Sequence, residues 1–142
     1  MPVPGVWGPI AWSILHSIGS KEGSPFPIDL FRETIWLLKN IDYIIPCPEC
    51  REHIREYQKH TSYPKEQREV GEWIWRFHNA VNRRLEKSAS PPFSKSLGSE
   101  IHIGKKWKEY KQIIKESILT GHLKGENVKT WERHLYLWKS FN

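Results

Sequence analysis

Residues 73–87 read Trp-Ile-Trp-Arg-Phe-His-Asn-Ala-Val-Asn-Arg-Arg-Leu-Glu-Lys. Positions three and four apart are neighbours on a helix, so Phe77, Val81 and Leu85 make one apolar line while His78, Asn79 and Asn82 run along its flank. The periodicity predicts a long helix over 66–87. Two amides and an imidazole set beside Trp75 and Phe77 cost about 1 to 3 kcal/mol each if buried without partners. Either water satisfies them on a solvated helix face, or a flat ligand with apolar faces and a polar edge does.

The nearest chemical feature upstream is Pro46-Cys47-Pro48-Glu49-Cys50. Pro48 suits a first helical turn, which places Cys47 at the cap and Cys50 just inside a helix reaching to about His60. Both sulfurs then lie near the positive end of a helix dipole, and the expectation is a lowered thiol pKa with at least one thiolate available near neutrality. These are the only two cysteines in the chain, so a disulfide framework is excluded. A bridge closing so short a ring is worth roughly 2 kcal/mol before strain, against about 3 for a fifteen-residue loop. Chemistry is a better reason for the pair than stapling.

Outward from these two stretches the pattern stays helical. Residues 7–20 predict a helix begun near Pro9, with Trp12 and His16 one turn apart on one side. Residues 21–27 are a Gly, Ser and Pro loop, and 27–42 an amphipathic helix whose wide apolar stripe must face a core. Pro64 marks a turn at 62–65, and the Ser- and Pro-dense segment 88–99 reads as a surface connection. Helical spacing returns over 101–119 through Trp107, Tyr110, Ile113, Ile114 and Leu119, breaks at 121–125, and resumes over 128–138 with Trp131, Leu135 and Trp138. With no repeat and no sustained period-two run, the expected fold is all-α, with five or six helices.

Composition narrows the partners. A chain of 142 residues with 38% hydrophobic content is long enough to bury a real core. Eight tryptophans exceed ordinary usage, which implies either an aromatic surface that stacks on something or a Trp-rich core. A net charge of +6 suits an acidic partner: nucleic acid, anionic lipid or a phosphorylated cofactor. No apolar run approaches the roughly eighteen residues that span a bilayer. The start, Met-Pro-Val-Pro-Gly, lacks the basic and apolar segments of a secretion signal.

Cys-x-x-Cys at a helix start admits a redox dithiol, half a zinc site, or two inert neighbours. Zinc would draw on Cys47, Cys50, His53 and either His60 or His78, but there is no second Cys-x-x-Cys, and His53 and His60 are spaced more widely than a usual ligand pair. A redox dithiol by itself only exchanges electrons with other thiols. The Trp, His and Asn strip on other helices suggests a built-in acceptor, and flavin takes two electrons from a dithiol and hands them to oxygen. A rival of another class is a basic, Trp-rich nucleic-acid module built on Lys105-Lys106-Trp107-Lys108 and Arg83-Arg84.

Three ordered blocks carry a family resemblance: Trp12-x-x-x-His16, then Pro46-Cys47-x-x-Cys50, then Trp73-x-x-x-Phe77-His78-Asn79-x-Val81-Asn82-x-x-Leu85-x-Lys87. Over residues 4 to about 107 the chain resembles the Erv/ALR flavin-linked sulfhydryl oxidases. The resemblance implies a four-helix bundle with an additional short helix, holding FAD at its mouth and forming a homodimer. The FAD-binding domain would span 1–110, with 111–142 a helical extension packed on or adjoining it. It implies no metal, and cofactor contacts from Gly8, Trp12, His16, Trp75, His78, Asn79, Asn82, Lys87, Lys106 and Trp107. Cys50 would lie against the isoalloxazine at C4a, and Cys47, the exposed cap, would take the substrate's thiolate into a mixed disulfide. The implied reaction converts a dithiol and oxygen into a disulfide and hydrogen peroxide, with a thiol-bearing protein, of thioredoxin-like kind, as substrate.

The chain departs from the larger family members in three ways: no shuttle cysteines in a tail, no cysteine pair tethering 88–99, and a tail beyond Tyr110 without a counterpart. This stripped form is similar to the short versions carried by large DNA viruses that assemble in cytoplasm. The expected setting is therefore host cytoplasm or virion, or, for a cellular member, the mitochondrial intermembrane space or another oxidising compartment.

Overall fold

Prolines open the first three helices of this protein. The computed structural model describes residues 4–21, 23–86 and 102–141. Among the described residues six α-helices follow in order: α1 (Pro4–Gly19), α2 (Pro27–Lys39), α3 (Pro48–Lys59), α4 (Val70–Arg84), α5 (Ile103–Leu119) and α6 (Gly125–Ser140), with 3₁₀ turns at Ile41–Ile44 and Gln67–Glu69. Among the described residues there is no strand, as the period-3.6 pattern predicts.

Pro4, Pro27 and Pro48 each stand at a helix start, where the fixed φ helps and the missing N–H is not needed. This corrects the expected start of α1 near Pro9, which lies inside the helix one turn later. Helix α4 is shorter than predicted at both ends. A 3₁₀ turn occupies Gln67–Glu69, and at the other end Glu86 takes a left-handed φ of 58° and returns its N–H to the Arg83 carbonyl at 3.1 Å. Lys87 and the predicted connection at 88–99 lie outside the described residues. Position 110, the expected domain boundary, falls inside α5, which runs unbroken across it.

Helix α1 packs on α4 and α5, α2 packs on α6, and α6 also touches the turn Ile41–Ile44, which in turn meets α3. One core cluster runs from Trp7 to Trp138. Its largest members, Trp107, Trp131 and Trp138, are fully enclosed, yet each indole N–H finds an acceptor: Glu132 Oε2 at 2.6 Å, Leu37 O at 3.3 Å and Thr34 Oγ1 at 3.0 Å. Much of the tryptophan excess is therefore core. The α1–α4 crossing is closer than side chains allow elsewhere, because a Cβ on Gly19 would sit 2.9 Å from Gly71 Cα. Two glycines meeting there bring His16 and His78, on the same two helices, within reach of each other.

Candidate active site

Three helices supply the walls of one cavity. Trp12 and His16 project from the same side of α1, and Phe77, His78, Val81 and Asn82 from one side of α4. Cys50, Ile54 and Tyr57, spaced i, i+4 and i+7, face it from α3. The cavity volume is about 710 Å³, and its lining is mostly apolar with a few convergent polar groups, the usual composition of a small-molecule site.

The Trp12 and His78 rings are stacked, with centroids 3.8 Å apart and an interplanar angle of 12°. His16 Nε2 lies 3.2 Å from His78 Nδ1, so one nitrogen donates to the other and the accepting ring must be neutral. Burial lowers the pKa of His16 below its ordinary value, which keeps that imidazole uncharged at neutral pH. Asn82 is buried beside them. In the same wall the Trp7 indole nitrogen is enclosed without a protein acceptor.

Cys47 is the N-cap of α3, with extended backbone (φ −98°, ψ 113°), and its Sγ accepts the Cys50 N–H at 3.2 Å. Both cysteines are free thiols with partial exposure, and only Cys50 lines the cavity. The placement at a cap agrees with the sequence. The expected thiolate does not hold for Cys50: burial, with a contribution from its contact with Cys47, pushes its pKa up to about 11, while Arg84 acts in the opposite direction. Desolvation outweighs the helix dipole there.

Of the residues singled out in the sequence, Gly8, Trp12, His16, Cys50, His78 and Asn82 share the cavity wall. Cys47, Trp75, Asn79, Lys106 and Trp107 stand outside it. Lys106 faces Glu109 at 3.6 Å, and Trp107 is wholly buried against Glu132, which leaves no ring face for a nucleic-acid base. Among the described residues no group of three or more His, Cys, Asp or Glu could hold a metal ion, so the zinc set of Cys47, Cys50, His53 and His60 or His78 is not assembled. His53 and His60 instead face Glu49 and Glu56, at 3.8 and 3.0 Å.

Trp7, Ile54, Tyr57 and Arg84 are cavity residues that the sequence reading missed. A signal existed for three of them: Ile54 and Tyr57 continue the helical face of Cys50, and Arg84 continues that of Phe77 and Val81.

The family model described as Erv1 / Alr family matches residues 10–108, more than half of the chain. The chain belongs to the Erv1/Alr family. An African swine fever virus protein (isolate Pig/Kenya/KEN-50/1950) named FAD-linked sulfhydryl oxidase is 30% identical over 115 residues, covering 80% of this chain and 83% of its own. The rice FAD-linked sulfhydryl oxidase ERV1 is 32% identical over 85 residues, 59% of this chain and 44% of its own. The Arabidopsis thaliana protein of the same name is 26% identical over 85 residues, again 59% and 44%. No solved structure matches the chain significantly. Seen on the structure, the Erv1/Alr match takes in the cavity walls of α3 and α4 and ends within α5, before Tyr110.

Proposed function

We propose that this protein is an FAD-linked thiol oxidase that forms disulfides in protein substrates, with oxygen as electron acceptor and hydrogen peroxide as product. The observation that carries the reading is that Cys50 shares one cavity with Trp12, His16, His78 and Asn82. Membership of the Erv1/Alr family, with relatives named FAD-linked sulfhydryl oxidases, supports it.

The cavity fits the cofactor in kind. Apolar walls suit the faces of an aromatic ring system, while the hydrogen-bonded His16–His78 pair and Asn82 suit its polar edge. In this reading Trp12, His16, His78 and Asn82 hold the ring portions, and Arg84 in the same wall offers a cation to the pyrophosphate. When bound, the flavin supplies two-electron acceptance from a dithiol and reaction with oxygen.

The chain's own residues manage the sulfur chemistry. With Cys47 and Cys50 oxidised to a disulfide, a substrate thiolate attacks Cys47 Sγ, the sulfur outside the cavity wall. A substrate–Cys47 disulfide forms, and Cys50 leaves and takes up a proton. The substrate's second thiolate then attacks its own bridged sulfur and releases Cys47, so the substrate is oxidised by two electrons and the pair is left reduced. Arg84 opposes the rise in the Cys50 pKa and so eases its departure. The stacked Trp12 and His78 rings present an aromatic surface to the cavity.

The reading includes the further contacts implied for Trp75, Asn79, Lys87 and Lys106, the homodimer and a thioredoxin-like substrate, but not one from Trp107, whose ring is wholly buried against Glu132. No helix among the described residues is long and apolar enough to cross a membrane. A visible absorption spectrum of purified full-length protein tests the proposal together with oxygen uptake on dithiothreitol. Flavin absorbance and activity lost in both Cys47→Ala and Cys50→Ala are expected. Colourless protein, or cysteine variants that oxidise dithiothreitol at the parent rate, would overturn it.

A further inference from the structure

The segment that reaches the cysteine pair from behind lies beyond the Erv1/Alr match. Tyr110 on α5 is completely buried, and its hydroxyl donates to the Ile44 carbonyl at 2.5 Å. Burial drives that phenol far above its usual pKa, so it remains a donor at every working pH. Ile44 closes the 3₁₀ turn Ile41–Ile44, three residues before Cys47. The next carbonyl, of Ile45, accepts from Arg51 Nη1 at 2.7 Å, and Asp42 in the same turn pairs with Arg55 at 3.2 Å. The approach to Cys47 is thus held from α5 on one side and from α3 on the other.

Helix α6 fixes the α5 side of this grip. Glu132 accepts the Trp107 indole N–H and pairs with Lys111, both at 2.6 Å, and so ties α6 to the turns of α5 on either side of Tyr110. The Trp107 and Trp131 rings meet at 5.3 Å, and the Trp131 indole N–H reaches the Leu37 carbonyl of α2 at 3.3 Å. Helix α6 also packs directly on the turn Ile41–Ile44. The chain of contacts is continuous: α6, then α5, then Tyr110, then Ile44, then the cap of Cys47.

The geometry points to Tyr110 as a positioning residue for the thiol relay, with α6 as the brace that holds it. Resting on the thiol-oxidase reading, this gives residues 109–141 a role: they set where the Cys47–Cys50 turn sits relative to the cavity. A small oxidase without tethering cysteines after its central helix keeps its redox turn in register by packing a carboxy-terminal helix behind it. Tyr110 acts through the Ile44 carbonyl.

Hydrogen exchange on the full-length protein as purified reads the brace directly. The reporters are the amides of Cys50, bonded to Cys47 Sγ, and Arg51, bonded to the Cys47 carbonyl at 2.9 Å. Tyr110→Phe keeps the ring and deletes the donor. Exchange at those two amides should rise about fivefold, the factor that one neutral hydrogen bond is worth, with α1 and α4 unchanged. Ile114→Val, a fully buried change on the same helix with no bond to the turn, is the control and should leave the two amides as they were. If Tyr110→Phe does not fold, Glu132→Gln, which removes the Lys111 ion pair, should move the same amides in the same direction by less. Unaltered exchange at Cys50 and Arg51 in the folded variant, or an equal rise in Ile114→Val, would overturn the brace. Absence of flavin would instead overturn the oxidase reading, and exchange in that same sample would still decide the role of Tyr110.

Discussion

Replacing Gly19 by alanine tests the geometry on which the cavity depends. The new Cβ would lie 2.9 Å from Gly71 Cα, 3.3 Å from Gly71 N and 3.0 Å from Ile74 Cδ1. The isoleucine methyl can turn away, but the two backbone atoms cannot. Carbon atoms rest at about 3.5 to 4.0 Å, so α1 and α4 must part locally by roughly 0.6 to 1 Å. Overpacking of this kind costs about 1 to 3 kcal/mol, and the better helix propensity of alanine returns about 0.5 to 1. The net loss is about 1 to 2 kcal/mol, or about 3 to 8 °C in melting temperature for a chain of this size. The same displacement carries the 3.2 Å contact between His16 and His78 beyond hydrogen-bond range. Denaturant unfolding reads the first consequence, and imidazole nitrogen shifts by NMR read the second. An increase in stability of about 0.5 to 1 kcal/mol with the histidine pair intact is what propensity alone gives, and it would refute the close-crossing argument.

Four further outcomes follow from the same structure. Burial raises Cys50 from its ordinary 9.0 to about 11, so the unfolded chain loses that proton first. The stabilisation is complete below pH 9 and lost as pH rises toward 11; Cys50→Ser should flatten that alkaline limb of a melting-temperature profile, and Arg84→Gln should move the Cys50 alkylation profile to higher pH. His16 has the opposite sense: its lowered pKa gives stability that is full above 6.5 and lost as pH falls through the folded value, so His16→Gln should flatten the acid limb. Glu86 occupies a left-handed φ of 58° at the end of α4, and Glu86→Gly should stabilise the protein by about 1 kcal/mol in urea unfolding, a gain that Glu86→Ala should not reproduce.

The parts of this molecule legible in its sequence are those governed by local rules. Helical spacing places Trp12 with His16, Phe77 with Val81, and Cys47 ahead of Pro48 at a cap, and the structure has each of these. Helix ends were less legible, because a proline that can open a helix also tolerates a place inside one, as Pro9 does. A glutamate in the left-handed region gives no local warning at all, so the early stop of α4 at Arg84 could not be read. The Cys50 pKa was misjudged for a related reason. A dipole is visible in a pattern of residues, whereas desolvation depends on which helices close over the sulfur. Tyr110 shows the same limit, since its acceptor, Ile44, is 66 residues away in sequence.

Two stacked Trp–His pairs show how context separates function from structure within one aromatic composition. Trp36 lies on His134 with centroids 3.6 Å apart, and Trp12 lies on His78 at 3.8 Å, so ring geometry alone does not distinguish them. Their partners do. His134 faces the Glu33 carboxylate at 2.6 Å across the α2–α6 seam, where a hydrogen bond joins the two helices. His78 faces a second imidazole, His16, in the cavity wall. A His–carboxylate contact uses a ring N–H as donor, whereas in the His16–His78 contact which nitrogen donates depends on the tautomer. The two imidazoles lie beside an aromatic face in the cavity wall, so the α1–α4 pair, not the α2–α6 pair, is the one on which the proposed flavin site draws.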